Sequence, residues 1–151
     1  MRLIGVNAAG ISSKLASFEY MLNELKPGVF FIEETKVKKQ GTIRTETAEK
    51  YVIFELIRKE KSGGGLALGV AKELNPTWLG EGDDQVEVLS VQINAKDFPI
   101  RCVGGYSPQE NDPVERKSKF WARLDSEVYE AEKPETGFIL QMDGNLWAGR
   151  I

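Results

Sequence analysis

Two amphipathic segments, one near each end of the chain and each set between short apolar runs, constrain the fold most. The first carries Leu15, Phe18, Leu22 and Leu25 at three- to four-residue intervals, with Met21 beside them, which makes one apolar helical face. The second carries Phe120, Leu124 and Val128, with Trp121 adjacent. Residues 2–8 and 29–32 read as strands around the first helix; 100–106 and 138–142 read as strands around the second. Between them, 51–57, 66–71 and 86–93 are further strand candidates. The order β-α-β, a run of strands, then α-β predicts a layered α/β or α+β domain with a mixed sheet. At 151 residues the chain suits one domain and not two.

Local signals set the expected boundaries. Ala9-Gly10 breaks the first strand, and Ser12 or Ser13 can cap the helix that follows. Lys26-Pro27-Gly28 stops that helix. Residues 36–49 are polar and read as a surface loop, 61–65 (Lys-Ser-Gly-Gly-Gly) as a hairpin connection and 94–97 as a turn. Asp112 and Pro113 predict an N-cap and first helical position, with Glu115 three residues past the cap, and Pro134 ends that helix.

Composition removes whole classes of chemistry. The chain has no histidine, so it can form no Ser-His-Asp or Cys-His arrangement. Its one cysteine, Cys102, allows no internal disulfide; set in an apolar run, it reads as a buried thiol, not a nucleophile. A zinc site would lack its usual ligands, so any metal must be held by oxygen, which favours magnesium, manganese or calcium. A net charge of −3 excludes a strongly basic nucleic-acid wrapper but leaves room for a local basic patch. No apolar run approaches the ~18 residues of a membrane helix, and the opening residues read as a strand, not a secretory signal. The expected setting is intracellular, nuclear or cytoplasmic, without a membrane.

Several strand ends carry polar residues that a strand end does not need: Asn7, Glu34, the Tyr106-Ser107-Pro108 turn, and Asp143 with Asn145. In layered α/β folds ligands sit where strand ends converge. Two carboxylates and two amides converging there would make an oxygen-only magnesium site.

These elements resemble, in order, those of the endonuclease/exonuclease/phosphatase superfamily. Gly5-Val6-Asn7-Ala8-Ala9-Gly10 resembles its Trp-Asn-x-x-Gly element, and Ile32-Glu33-Glu34-Thr35-Lys36 its Gln-Glu-Thr-Lys element, with Glu33 replacing the glutamine. Gly63-Gly64-Gly65-Leu66-Ala67-Leu68 is similar to its Gly-Gly-Val-Ala strand, and Gly105-Tyr106-Ser107-Pro108-Gln109-Glu110 to its Tyr-x-Pro element. Met142-Asp143-Gly144-Asn145 resembles its Gly-Asp-x-Asn element, with Met142 replacing the glycine. The Tyr-x-Pro-Gln-Glu and Asp-Gly-Asn-Leu-Trp segments look most like endonuclease domains of non-LTR (LINE-type) retroelements.

The resemblance implies a layered α-β-β-α sandwich of mixed sheets, with residues 1–151 forming one domain that is C-terminally incomplete. It also implies magnesium-dependent hydrolysis of a phosphodiester, with manganese as substitute and DNA as the expected partner. Glu34 would be the main metal ligand with Asn7 beside it, and Tyr106 would contact the phosphate. Asp143 would orient or activate the attacking water, and Asn145 would hold a phosphate oxygen. The family pattern continues to a Ser-Asp-His element that this chain does not contain. A phosphatase or RNA-directed member is the alternative enzyme; an inactive nucleic-acid- or partner-binding domain is the non-enzymatic one.

Each residue also has a plainer reading. Asn7 can be a turn residue bonding nearby backbone, Asp143-Gly144-Asn145 a tight turn, and Tyr106 a half-buried aromatic. Strand alternation sends Glu33 and Glu34 to opposite faces, which leaves Glu33 outside the site. Gly64 and Gly69 have Walker-loop spacing, but Val70 stands where lysine is required. Of the basic positions, Lys36, Lys38 and Lys39 have the best claim on a nucleic-acid backbone, because they follow Glu34. Arg58, Lys59, Lys61, Arg116, Lys117, Lys119 and Arg123 read as a solvated face. Trp78 and Trp121 read as core or interface, whereas Trp147 is close enough to Asp143 to flank a substrate groove. An unfinished sheet also predicts self-association through an open strand edge.

Overall fold

A computed structural model of the protein describes residues 1–58, 63–81, 86–94, 98–132 and 136–143. The turn expected at 94–97, the hairpin residues Lys61 and Ser62, Lys59, and the helix stop at Pro134 fall wholly or partly outside them.

The described residues form two four-stranded sheets and two α-helices. The first sheet contains β1 (Leu3–Asn7), β2 (Val29–Glu33), β3 (Tyr51–Leu56) and β4 (Leu66–Ala71) in the order β1-β2-β4-β3. The second contains β5 (Pro76–Glu81), β6 (Val88–Asn94), β7 (Pro99–Tyr106) and β8 (Gly137–Asp143) in sequence order. α1 (Leu15–Leu25) crosses from β1 to its parallel neighbour β2, and α2 (Val114–Ala131) crosses from β7 to its parallel neighbour β8. Parallel neighbours need such a crossover, so each amphipathic segment lies where its flanking strands require it.

Strand alternation builds three apolar layers. Phe30 and Ile32 face outward with Phe18 and Leu22 of α1, while Val29 and Phe31 face inward between the sheets with Leu68, Val70, Leu89, Val91 and Cys102. On the far side, Val88 and Val103 meet Phe120 and Leu124 of α2. The result is the expected α-β-β-α sandwich. Gly69 is required by close approach: the Phe30 ring lies where its Cβ would be, and Phe18 and Tyr51 meet that ring edge-on, each 5.2 Å away. The Cys102 thiol is fully buried, and burial pushes its pKa up to about 12. No described helix is long and apolar enough to cross a membrane.

Three local expectations need correction. Ser12 and Ser13 lie in a short 3-10 turn, Ser12–Lys14, and neither side chain caps α1. Asp112 does not cap α2 either: its carboxylate accepts from the Gln109 N–H at 2.8 Å and pairs with Arg116 at 3.1 Å. Residues 36–49 form no long element, but Val37, Ile43 and Ala48 are buried, so the segment is fastened to the α1 side of the sandwich.

The two parallel pairs position the site. Asn7 lies opposite Glu33 at the end of β1 and β2, and Tyr106 lies opposite Asp143 at the end of β7 and β8. The carboxyl ends of four strands therefore meet at one end of the sandwich, the place where layered α/β folds hold ligands.

Candidate functional site

Asn7 ends β1, and its side chain works in two directions. Its Oδ1 accepts the Ala9 N–H at 3.0 Å, the turn contact expected of asparagine, while its Nδ2 donates to Asp143 Oδ2 at 3.0 Å. The turn and site readings of Asn7 thus hold together. The amide also lies near enough to the Glu34 carboxylate to help lower its pKa, so it sits close to both acids.

Glu34 follows the last residue of β2 with φ +50°. This left-handed backbone costs a non-glycine residue about 1–2 kcal/mol, and it takes the side chain out of strand alternation. Four backbone hydrogen bonds hold the bend. Gly10 donates to Glu34 at 2.9 Å and Ile11 to Thr35 at 3.0 Å, while Thr35 donates to Gly65 at 3.1 Å and Lys36 to Gly64 at 2.9 Å. Strain kept in place by its surroundings is characteristic of functional sites.

The Glu34 carboxylate receives the Tyr106 hydroxyl at 3.0 Å on Oε1 and faces the Lys36 ammonium at 3.6 Å on Oε2. Burial raises its pKa, but the Tyr106 hydrogen bond, the Asn7 amide and the Lys36 charge outweigh that and hold it below the usual carboxylate range. Asp143 ends β8; its carbonyl accepts the Ser107 N–H at 3.1 Å, which ties the Tyr106-Ser107-Pro108 turn to the acid.

Glu33 is the buried neighbour of Glu34. Its side chain is buried, yet it stays beside the site: Gln141 Nε2 donates to it at 3.5 Å, and Asp143 lies close enough to repel it. Burial first, then the neighbouring Asp143 and Glu34 charges, raise its pKa. Both glutamates reach the same end of the sandwich because Glu34 departs from extended backbone.

Among the expected substrate contacts, the side chains of Lys36, Lys38 and Lys39 are exposed on the loop after Glu34, with buried Val37 anchoring it. Asn145 and Trp147 lie outside the described residues. Trp78 packs at a tilt on Phe54 but is 40% exposed, and Trp121 meets Phe120 edge-on. Arg58 and Arg116 do not belong to a solvated face; both turn inward to the buried Glu87 carboxylate.

Sequence reasoning missed the support behind the site. Buried Glu87 accepts Arg58 and Arg116 on Oε2 and the Gly65 N–H at 2.8 Å on Oε1. These residues are scattered along the chain, so no local motif marks them.

The oxygen donors of Glu34, Asp143 and Asn7 suit magnesium or manganese, which take one or two protein carboxylates and keep water and phosphate as other ligands. No group of three or more acidic, histidine or cysteine residues among the described residues could hold a metal. The fit is therefore to a sparse, water-rich cation site and not to an all-protein cage.

No protein-family model matches the sequence, and no curated protein matches it significantly. Solved structures do resemble the fold. A humanized D. rerio TDP2 superposes with TM-score 0.70 at 16% identity, covering 96% of this chain and 62% of that one. The 3'-5' exonuclease NExo from Neisseria meningitidis gives 0.70 at 15%, with 97% and 58% covered. An AP endonuclease from Archaeoglobus fulgidus gives 0.66 at 18%, with 93% and 55% covered. A further D. rerio TDP2 structure, at TM-score 0.66 and 14% identity with 96% and 60% covered, is complexed with a single-strand DNA product. The chain thus shares the layered α-β-β-α fold of these structures and spans about three fifths of their length.

Proposed function

We propose that this chain forms the cation- and phosphate-binding part of a phosphodiesterase site that acts on nucleic acid, with DNA as the substrate. The observation that carries this reading is the convergence of Asn7, Glu34, Tyr106 and Asp143 from four strand ends, joined in pairs by hydrogen bonds. Glu34 and Asn7 would hold magnesium or manganese, which when bound stabilises charge on the phosphate and the leaving oxygen. Tyr106 would turn its one hydroxyl proton from Glu34 to a phosphate oxygen once the cation takes the carboxylate. Asp143 accepts a hydrogen bond at Oδ2 and, on this reading, orients a water and takes its proton. Asn145 adds an amide donor to the phosphate. Lys36, Lys38 and Lys39 meet the backbone phosphates beside the cation, and Trp147 flanks the groove.

An endonuclease of a retroelement is the finer reading, supported by Gly105–Glu110 and by the Asp143–Trp147 segment. A phosphatase or RNA-directed activity would use the same residues. One observation favours a binding role for these 151 residues taken alone: no histidine is present to complete the acid-base set. The open edges support a further reading, that these residues are one portion of a larger sandwich. Among the described residues β1 and β8 each have one strand neighbour, and Leu3, Phe138 and Leu140 are exposed along them.

The test uses a fluorescent DNA oligonucleotide and supercoiled plasmid, each with and without magnesium. The reading expects magnesium-dependent binding that Glu34→Gln abolishes, with little or no nicking. Binding that ignores both magnesium and Glu34→Gln would overturn the site. Robust nicking lost in both Glu34→Gln and Asp143→Asn would overturn the binding role in favour of an enzyme complete without histidine.

A further inference from the structure

Glu87 lies just before β6 with its side chain fully buried, and it is linked to both sides of the Tyr106–Glu34 hydrogen bond, to the Glu34 side only through Gly65 and Thr35. One arm runs through Oε1. It accepts the Gly65 N–H at 2.8 Å, and the Gly65 carbonyl accepts the Thr35 N–H at 3.1 Å, one residue from Glu34. The other arm runs through Oε2 to Arg58, whose guanidinium lies 5.6 Å from the centre of the Tyr106 ring. A cation over an aromatic face is attracted to it, more strongly where water is excluded. The Glu87 backbone carbonyl also accepts the Tyr106 N–H at 3.0 Å. Gly64, at φ +67°, leaves the space Arg58 needs, since a Cβ there would overlap the guanidinium. Arg116 completes the set at 3.4 Å from Glu87 and 3.1 Å from Asp112, so α2 braces the same carboxylate.

A buried carboxylate of this kind is costly unless charge and hydrogen bonds compensate it. Packing alone would be served as well by an apolar side chain. What an apolar side chain could not do is fix the Gly65 turn and the Arg58 guanidinium at once. The geometry points to Glu87 as the positioning residue of the site: it sets the distance between the Glu34 carboxylate and the Tyr106 hydroxyl through two arms. This role rests on the reading of Glu34 as a cation ligand, because its benefit is a preorganised carboxylate. Outer partners of metal ligands typically change affinity by about 10–100-fold when removed.

The experiment compares wild type, Glu87→Gln and Arg58→Met, with circular dichroism confirming the fold of each. Tyrosine labelled at 13Cζ reports Tyr106 without metal, and manganese titration reports cation affinity. Both variants should shift the Tyr106 signal. Glu87→Gln should weaken manganese by about tenfold, and Arg58→Met, which leaves Glu87 bonded to Gly65 and Arg116, by a smaller factor. If Glu87→Gln does not fold, Arg58→Met decides alone. Folded variants with an unchanged Tyr106 signal and wild-type manganese affinity would overturn the proposal. If wild type itself shows no manganese effect at Glu34, the cation reading fails, and the metal-free Tyr106 signal still decides whether Glu87 positions it.

Discussion

Glu87 and Glu33 are both buried beside Glu34, yet their surroundings treat them differently. Glu87 meets two guanidiniums and a backbone amide. Glu33 has one side-chain amide, at 3.5 Å, the backbone N–H of Asp143, and two neighbouring carboxylates that raise its pKa further. The first arrangement is a brace; the second is a tension held in place by the sandwich. A buried carboxylate is costly in either case, and what separates the two is how many donors reach it. The contrast teaches that the acids at this strand end have separate tasks: Glu34 to face the groove, Glu87 to hold the loop behind it, and Glu33 to line the space between them.

The largest effect should come from cutting the brace. Glu87→Ala removes the buried carboxylate that Arg58 and Arg116 share, while Arg116 keeps Asp112, and removing one partner of a buried pair costs about 3–5 kcal/mol. Urea denaturation should show a loss of that order; a loss within experimental error would mean that the two arginines find other partners.

Tyr106→Phe removes a hydrogen bond that holds the Glu34 pKa down. Glu34 should then titrate at higher pH, closer to the usual carboxylate value, by carboxyl 13C NMR. The sign follows from the depressed pKa: the stability this contact adds is present above the ordinary value and is lost as pH falls through the folded one. Tyr106→Phe should therefore destabilise the fold at neutral pH and match wild type at low pH. A Glu34 titration that does not move would detach Tyr106 from the site.

Relief of the tension should be smaller and of opposite sign. Burial raises the Glu33 pKa, so its folded form holds a proton that the unfolded chain releases. Its contribution is intact below the ordinary carboxylate value and is lost as pH rises through the folded value. Glu33→Gln should raise Tm by a few degrees at neutral pH, and the gain should vanish in acid. A variant less stable than wild type at neutral pH would mean that Glu33 is better compensated than its neighbours indicate.

The open edges should give the weakest effect. Exposed Phe138 and Leu140 beside the unpaired side of β8 favour self-association. Sedimentation across a concentration series should show it, with little dependence on salt, and Leu140→Lys should reduce it. A strict monomer at high concentration would contradict an exposed, adhesive edge.

Much of this arrangement is legible in the sequence. Phe18 and Leu22, or Phe120 and Leu124, mark helices by spacing, and Val29–Ile32 and the residues around Cys102 mark buried strands by continuous apolarity. β5 escaped because Pro76 opens it and Gly80 interrupts it at a register shift, features that normally argue against a strand. On this strand β5 lies at the sheet edge, where a proline's missing N–H is tolerated. The four described site residues Asn7, Glu34, Tyr106 and Asp143 were readable from their motifs. The left-handed backbone of Glu34, at φ +50°, has no signal in the residue pattern, because alternation presumes extended backbone. The brace was invisible because Arg58, Glu87 and Arg116 become neighbours only after both sheets and α2 have packed.

On the proposed reading Glu34 anchors a cation site with Asn7 beside it, next to Asp143. Manganese added to 15N-labelled protein tests it most directly. The account predicts that amide broadening begins at residues near Asn7, Glu34 and Asp143, saturates, and is lost in Glu34→Gln while the spectrum otherwise stays folded. Broadening that centres on another acidic cluster, or that survives Glu34→Gln unchanged, would contradict it.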